Sequence, residues 1–533
     1  MNPLIKYGIF KTGAVTLSFC SVFAIRAAEK TKPVNVLFII TDQQRYDALS
    51  IAGNKILKTP NIDKLAKQGV WFRHAYTPCA VSAPARASLL TGCTVEHTGV
   101  LTNEIAYKES IPGIMPMPTF DELLAKKGYT CEYYGKWHTP LFHGKVYNNK
   151  ITAAGRAETD FGPGLEKYYT NFLDANFPRQ ELKADELYDS FSKRPYRPNP
   201  LDKRFSLLIK GESTDIKTIQ PDLHGCLMIP KEYTLTALTA RETIASIKKL
   251  KDGPFSITCS FHYPHAPMLP TEEYYKMYSP NIMIPSPSIN DKMDNSPYYN
   301  ANGRLDNPEY SDPQKIKYMM SEYYGLIREI DDWVGEILKT LDELGLTENT
   351  LVIFTSDHGE MLGSHGMREK NVFYEESAHI PLIIRLPGKI KPETRVDGDV
   401  STIDLFATIN DFAGLPEYKS DGRSLRGLID GTDPDHGRYV VTEWLYNEDR
   451  APGYMIVKNN WKMFIPFTAE SKVLDALFNL KEDPFETNNL IGKNPERANY
   501  RLVVDELKND LLAWLKKNNS KHLEGVRSRK III

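Results

Sequence analysis

Cysteine is scarce in this 533-residue chain. Cys20, Cys79, Cys93, Cys131, Cys226 and Cys259 are scattered, without metal-thiolate spacing and without the density of a disulfide-stapled domain. An excess of charge of one sign is missing as well. The 66 Lys and Arg against 68 Asp and Glu leave a formal charge of -2, which excludes the broad basic footprint of a nucleic-acid binder. A few local cations can still bind a small anion. There is no internal repeat, and beyond the N-terminus no apolar run is long enough to span a bilayer, so no stable membrane insertion is expected.

At the N-terminus, Lys6 and Lys11 precede an apolar run from Ala14 to Ile25. Small residues Ala27 and Ala28 and then a charged stretch come next. This is the pattern of an export signal over residues 1–28, with an N-terminal anchor as the alternative. The expected destination is the bacterial periplasm or medium. Cys20 leaves with the signal, and export permits one disulfide among the other five cysteines, without the sequence choosing the pair.

The rest alternates strand and helix signals. Val34 to Ile40 is nearly all apolar, as in a strand covered on both faces, and ends at Thr41-Asp42-Gln43. A helix from Pro60 to Gln68 and a short strand Val70 to Phe72 come after it. Thr119 with Glu122 reads as a capping box ahead of a strand Thr130 to Tyr134. Thr139 to Pro230 reads as long insertions at the rim of a sheet. Next come a helix from Tyr233 to Leu250 and a strand Phe255 to Phe261. Ile327, Ile330, Val334, Ile337, Leu341 and Leu344 mark the apolar face of a long helix, Gln314 to Leu344. Strands Leu351 to Thr355 and Ile380 to Ile384 succeed it. This order predicts an α/β fold with a mainly parallel sheet sandwiched by helices over residues 29–415. Short strands from Tyr439 to Asn479 and a helix Tyr500 to Lys517 predict a smaller α+β subdomain with an antiparallel sheet over residues 416–533.

In open parallel sheets, ligands bind beyond the C-terminal strand ends. Asp42-Gln43 and Asp357-His358 both stand at such ends, and their oxygens suit a hard divalent cation. A strand followed by Asp is common, so these pairs alone leave a purely structural role open. The segment Ser82-Ala83-Pro84-Ala85-Arg86 adds a hydroxyl at a helix start, where free N–H groups favour an anion. Pro84 suits the first helical position, and Arg86 can turn back toward Ser82.

Ser82 through Thr91-Gly92 is similar to the sulfatase signature at every position: Cys or Ser, a small residue, Pro, Ser or Ala, Arg, and finally Thr-Gly. Gly128-Tyr129 followed by Gly135-Lys136-Trp137-His138 resembles a second sulfatase motif, departing at Cys131 and Tyr134. Pro264-His265-Ala266-Pro267, Ser356-Asp357-His358-Gly359 with Gly366 and Lys370, and Phe478-Asn479-Leu480 with Asp483-Pro484 resemble three more. The resemblance covers most of the chain and implies an alkaline-phosphatase-like fold. It further implies that Ser82 is oxidised to formylglycine (3-oxoalanine) by a maturase.

In such enzymes the hydrated aldehyde attacks sulfur, and its second hydroxyl later expels sulfate. Carried over, the resemblance implies Asp42, Gln43, Asp357, His358 and residue 82 as ligands of one Ca²⁺, with Mn²⁺ or Zn²⁺ as alternatives. His265 is implied as general acid and His138 as base. Arg86, Lys136 and Lys370 are implied to stabilise charge on the sulfuryl oxygens. The Asp-Gln and Asp-His pairs resemble those of some glycan sulfatases, choline sulfatases and phosphonate monoester hydrolases. Among other polar residues, His97, Asn103 and His365 could reach a substrate hydroxyl or be structural. His262 is ambiguous, and His143 and His224 lie in the insertions. The leading expectation is an exo-acting sulfatase on sulfated carbohydrate, such as glycosaminoglycan or algal glycan fragments. An arylsulfatase, choline-sulfatase-like or phosphonate monoester hydrolase is the second, and a silent sulfate-binding protein with unmodified Ser82 the third.

Overall fold

The computed structural model describes residues 32–107, 113–140, 146–147, 230–266, 268–299, 308–433, 438–446 and 451–533. The expected export segment 1–28, Cys20 and Cys226, most of the insertions with His143 and His224, and Pro267 lie outside the described residues. Both sheets and the helices that cover them belong to the unit Pro33–Ile533.

The centre of this unit is β1, Asn35–Asp42, buried along its whole length. Because side chains alternate across a strand, Leu37 and Ile39 enter one apolar core, and Val36, Phe38 and Ile40 enter another. The other strands of the sheet are β2 (Val70–Tyr76), β3 (Thr130–Gly135), β4 (Phe255–Pro264), β5 (Thr350–Ser356), β6 (His379–Arg385) and β7 (Thr394–Ser401). Their order is β3-β4-β1-β5-β6-β2-β7, and β6 alone runs against the rest. The fold is therefore α/β with a mainly parallel sheet, as the alternation of elements predicts. β2 extends further than its short apolar start suggests, through an irregularity after Phe72.

Helices α1 (Pro60–Lys67), α4 (Leu235–Leu250) and α5 (Pro313–Glu343) cover one face. Helices α2 (Ser82–Thr91), α3 (Phe120–Lys126) and α6 (Asp404–Phe412) cover the other. The capping box of α3 is formed: the Glu122 N–H donates to Thr119 Oγ1, and the Thr119 N–H donates to Glu122 Oε2. On α5 the residues Ile316, Ile327, Ile330, Val334, Ile337 and Leu341 are all buried, so its apolar face meets the sheet.

Beyond α6 lies a separate four-stranded antiparallel sheet. Its strands are β8 (Val440–Trp444), β9 (Gly453–Lys458), β10 (Trp461–Pro466) and β11 (Ala476–Asn479), in the order β11-β10-β9-β8. Helix α7 (Arg501–Lys517) packs Val504, Leu507, Leu511 and Leu515 against Ile456, Met463 and Ile465 on one face. On the other face Met455, Val457 and Phe464 meet Tyr298, Phe373 and Tyr374. Among the described residues no helix is long and apolar enough to cross a membrane. Cys79, Cys93, Cys131 and Cys259 are buried free thiols.

Gly135 ends β3 with φ +93° and leads into Lys136 and His138. A Cβ there would lie 1.8 Å from the Ser260 carbonyl oxygen of the neighbouring strand. Only glycine combines this backbone with this approach. Gly135→Ala is expected to destabilise the protein by about 2–4 kcal/mol and to abolish turnover, as read from urea melts and an activity assay. An unchanged denaturation midpoint would contradict the close approach.

Candidate active site

Parallel neighbours end together, and that brings distant sequence to one place. Asp42 closes β1, and Asp357 and His358 come directly after β5, which pairs with β1 up to Thr41↔Ser356. Lys136 and His138 come after β3, and His265 after β4. Lys370 lies on the segment between β5 and β6, and α2 begins at Ser82.

Helix α2 starts at Ser82, not at Pro84 as the proline preference predicts. Val81 is the extended cap residue (φ -149°, ψ 134°), and Pro84 sits within the first turn, where its missing N–H breaks no intrahelical bond. The Ala83 N–H donates to Asn103 Oδ1 at 3.0 Å, so Asn103 caps this helix. Ser82 Oγ is buried, 2.8 Å from His358 Nε2, 3.3 Å from Asp42 Oδ2 and 3.5 Å from Lys136 Nζ.

Arg86, one turn further along α2, is occupied on every side. Its Nη2 meets Asp42 Oδ2 at 3.0 Å, and its Nε meets Asp357 Oδ2 at 2.8 Å. Its Nη1 donates to the Lys136 carbonyl at 3.0 Å and to Ser260 Oγ at 2.9 Å. Lys136 Nζ adds a second cation 2.6 Å from Asp42 Oδ2. All four charged side chains are at most 2% exposed. Burial pushes the Asp42 carboxyl up, but Lys136, His265 and Arg86 outweigh it and hold the group well below the usual carboxylate range. Burial likewise opposes the charge on Arg86, and Asp357, Tyr133 and Asp42 overcome it.

Asp42, Asp357 and His358 offer ligand atoms that all lie within 4.8 Å of one another. Asp42 Oδ1 is buried and has no hydrogen-bond partner. His358 Nδ1 donates to the Gly359 carbonyl at 3.0 Å, which leaves the Nε2 lone pair facing Ser82. Burial, ahead of the opposing charge of Asp357, lowers the imidazole pKa and favours the neutral, ligating form. Two carboxylates, one of them with an open oxygen, and a neutral imidazole fit a divalent cation beside Ser82.

Gln43 joins through its backbone N–H, 3.1 Å from Asp357 Oδ1, and its Oε1 accepts from Lys370 Nζ at 2.6 Å. Lys370 Nζ also lies 3.1 Å from His265 Nε2, which is 4.0 Å from Asp42 Oδ1. The network thus unites Asp42, Gln43, Ser82, Arg86, Lys136, His265, Asp357, His358 and Lys370. His138 follows Lys136 by two residues. It is buried nearby in left-handed backbone (φ 49°), so it does not continue the strand alternation expected to align it with Lys136. Gln43, Glu369 and Asn371 are also left-handed (φ 68°, 62° and 74°), which concentrates backbone strain around the site.

Of three other histidines, two have structural partners and one lies against the site. His97 bonds Asp421 Oδ2 at 2.6 Å and the Asn518 carbonyl at 2.7 Å. His365 bonds Asp291 at 2.8 Å and stacks on Tyr374 with centroids 3.8 Å apart. His262 lies 5.1 Å from His265, ring to ring. One residue of the site has no separate mark in the sequence. Glu360, 1% exposed, accepts from Gln43 Nε2. The adjoining metal-like motif ends at Gly359, and a glutamate after it reads as an ordinary loop residue.

Comparison with known proteins identifies the family. The family model described as Sulfatase matches residues 34–415, and one described as N-sulphoglucosamine sulphohydrolase, C-terminal, matches residues 363–517. The chain is similar to an ulvan-active sulfatase of Formosa agariphila, 29% identical over 500 residues that cover 91% of this chain and 82% of that protein. It is also similar to an N-acetylglucosamine-6-O-sulfatase of Bacteroides thetaiotaomicron, 27% identical over 516 residues, 90% of this chain and 86% of the other. A phosphonate monoester hydrolase of Agrobacterium radiobacter shares the fold, with a TM-score of 0.70 at 23% identity over 91% of this chain and 96% of its own. A family model that spans most of the chain, on a fold that gathers that family's motifs at one sheet end, settles the class: this protein belongs to the sulfatase family and is a sulfuric ester hydrolase.

Proposed function

We propose that the protein removes sulfate from sulfated saccharides in an exo-acting manner, using a formylglycine made from Ser82 beside one bound Ca²⁺. The observation that carries this reading is the position of Ser82 Oγ, at the start of α2 and in contact with both His358 and Asp42. Asp42, Gln43, Asp357 and His358, with residue 82, would hold the cation. When bound, such an ion lowers the pKa of an oxygen nucleophile and offsets charge on the sulfuryl group.

The chain's own residues do the rest. Arg86, one helical turn from residue 82, acts through the carboxylates it binds, fixing Asp42 and Asp357 beside that residue. Lys136 and Lys370, whose ammonium groups approach Asp42 and Gln43, supply positive charge to the transferring group, for which preorganised charge is most effective. His265 is placed for proton donation to the leaving alcohol. Its Nδ1 donates to the Ala266 carbonyl at 2.6 Å, which orients the ring, and its Nε2 faces Lys370 and Asp42. His138 is the base that restores residue 82 for the next cycle. Saccharide substrates are supported by the ulvan-active and N-acetylglucosamine-6-O relatives. The phosphonate monoester hydrolase neighbour supports the second reading, in which the same site acts on another monoester. Maturation of Ser82 calls for a modifying enzyme in the host, and periplasmic or extracellular location is the consequence of export.

Mass spectrometry of the peptide spanning Ser82, from enzyme made in its native host, is expected to show a form two hydrogens lighter than the encoded serine. Unmodified serine alone in an enzyme that turns over would overturn the formylglycine assignment. His265→Ala is expected to lower kcat/KM about 10²–10⁴-fold on sulfated disaccharides, whose leaving alcohols need a proton, and much less on an aryl sulfate. Equal losses would remove His265 from the acid role. Aryl phosphonate cleaved faster by the parent enzyme than every sugar would favour the second reading.

A further inference from the structure

A carboxylate presents oxygen whichever way it turns, whereas an amide has a donor end and an acceptor end. A glutamine can therefore ligate a cation in only one of its two orientations. Gln43 is held at the site by its main chain: its N–H donates to Asp357, and its carbonyl accepts from Tyr323 Oη at 2.6 Å. Its side chain spans two groups. Nε2 donates to Glu360 Oε2, and Oε1 faces Lys370 Nζ, on the side where His265 and Asp42 lie.

Glu360 cannot turn to accommodate the opposite orientation. Its Oε1 accepts from the Leu362 N–H at 3.0 Å and from the Glu369 N–H at 2.5 Å, so both carboxylate oxygens are engaged. Loop N–H groups thus fix the carboxylate, the carboxylate fixes the amide, and the amide oxygen is left facing Lys370 Nζ. We propose that Glu360 is a positioning residue for the cation, locking the Gln43 amide with its oxygen inward. This rests on the reading of Gln43 as a cation ligand. Groups that orient a metal ligand typically change affinity about 10–100-fold when altered.

The test is calorimetric Ca²⁺ titration of the full chain, with melting in the absence of Ca²⁺ to verify folding. In Glu360→Gln the loop N–H groups still need an oxygen, so the introduced amide turns its NH₂ toward position 43. Gln43 then has to flip, and Ca²⁺ affinity is expected to fall about 10–100-fold. Gln43→Glu alone sets a carboxylate against Glu360 and should also weaken binding, despite adding a more basic ligand. The double variant Gln43→Glu/Glu360→Gln rebuilds the contact with donor and acceptor exchanged and should recover most of the affinity. A double variant that binds no better than Gln43→Glu, or a Glu360→Gln protein that binds like the parent, overturns the proposal. Should Glu360→Gln fail to fold, Gln43→Glu decides alone: weaker binding supports the lock, and tighter binding overturns it. A parent protein that takes up no Ca²⁺ removes the cation reading itself and the inference with it, whereas binding by the parent without rescue in the double variant removes the inference only.

Discussion

Two carboxylates buried side by side repel each other and lose their hydration, so they persist only where opposite charge is buried with them. Asp42 and Asp357 stand at the ends of adjacent strands in this situation, and one guanidinium answers both: Arg86 reaches Asp42 with Nη2 and Asp357 with Nε. Lys136 brings the second positive charge from a third strand. This pairing also positions the chemistry. Arg86 lies on α2 four residues after Ser82, close to one helical turn, so the clamp that binds the carboxylates sets the start of the helix against them. Much of the geometry of the site stems from that anchor, from the Ser82 contacts to the open Asp42 oxygen.

The small antiparallel sheet has a part in the site as well. Lys462 on β10 is buried and donates to the Phe373 carbonyl at 2.8 Å, and it pairs with Glu375 at 2.7 Å and Glu486 at 2.8 Å. Those contacts brace the chain just beyond Lys370. On the near side, the Asn371 N–H donates to the Ala80 carbonyl, two residues before Ser82. The Lys370 segment is therefore tied to the second sheet through Lys462 and to the Ser82 loop through Asn371.

Legibility in the sequence depends on physical type. Buried parallel strands such as Val34 to Ile40 announce themselves as continuous apolar runs, and the long helix announces itself by its period. The strand-end acids carry weight only beside the motif around Ser82, which stands out by its resemblance to the sulfatase signature, and they converge in the structure. Other elements carry no such mark. β7 is missed because Thr394–Ser401 mixes Arg, Asp and Gly with few apolar residues. The reversed direction of β6 is set by its connections, and its apolar run looks the same either way. Asn103 and Glu360 act through partners distant in sequence, so neither a capping pattern nor a charge pattern reveals them. The left-handed turn at His138 breaks an alternation that a sequence can only assume.

Asp42, Asp357 and His358 are proposed to enclose a divalent cation at the start of α2. Anomalous diffraction from crystals soaked in Ca²⁺, repeated with Mn²⁺, tests it directly. One peak is expected about 2.3–2.6 Å from an oxygen of Asp42 and of Asp357, in contact with residue 82 and His358 Nε2. A fully soaked crystal with no peak there, or with the ion bound only elsewhere on the molecule, would contradict the claim.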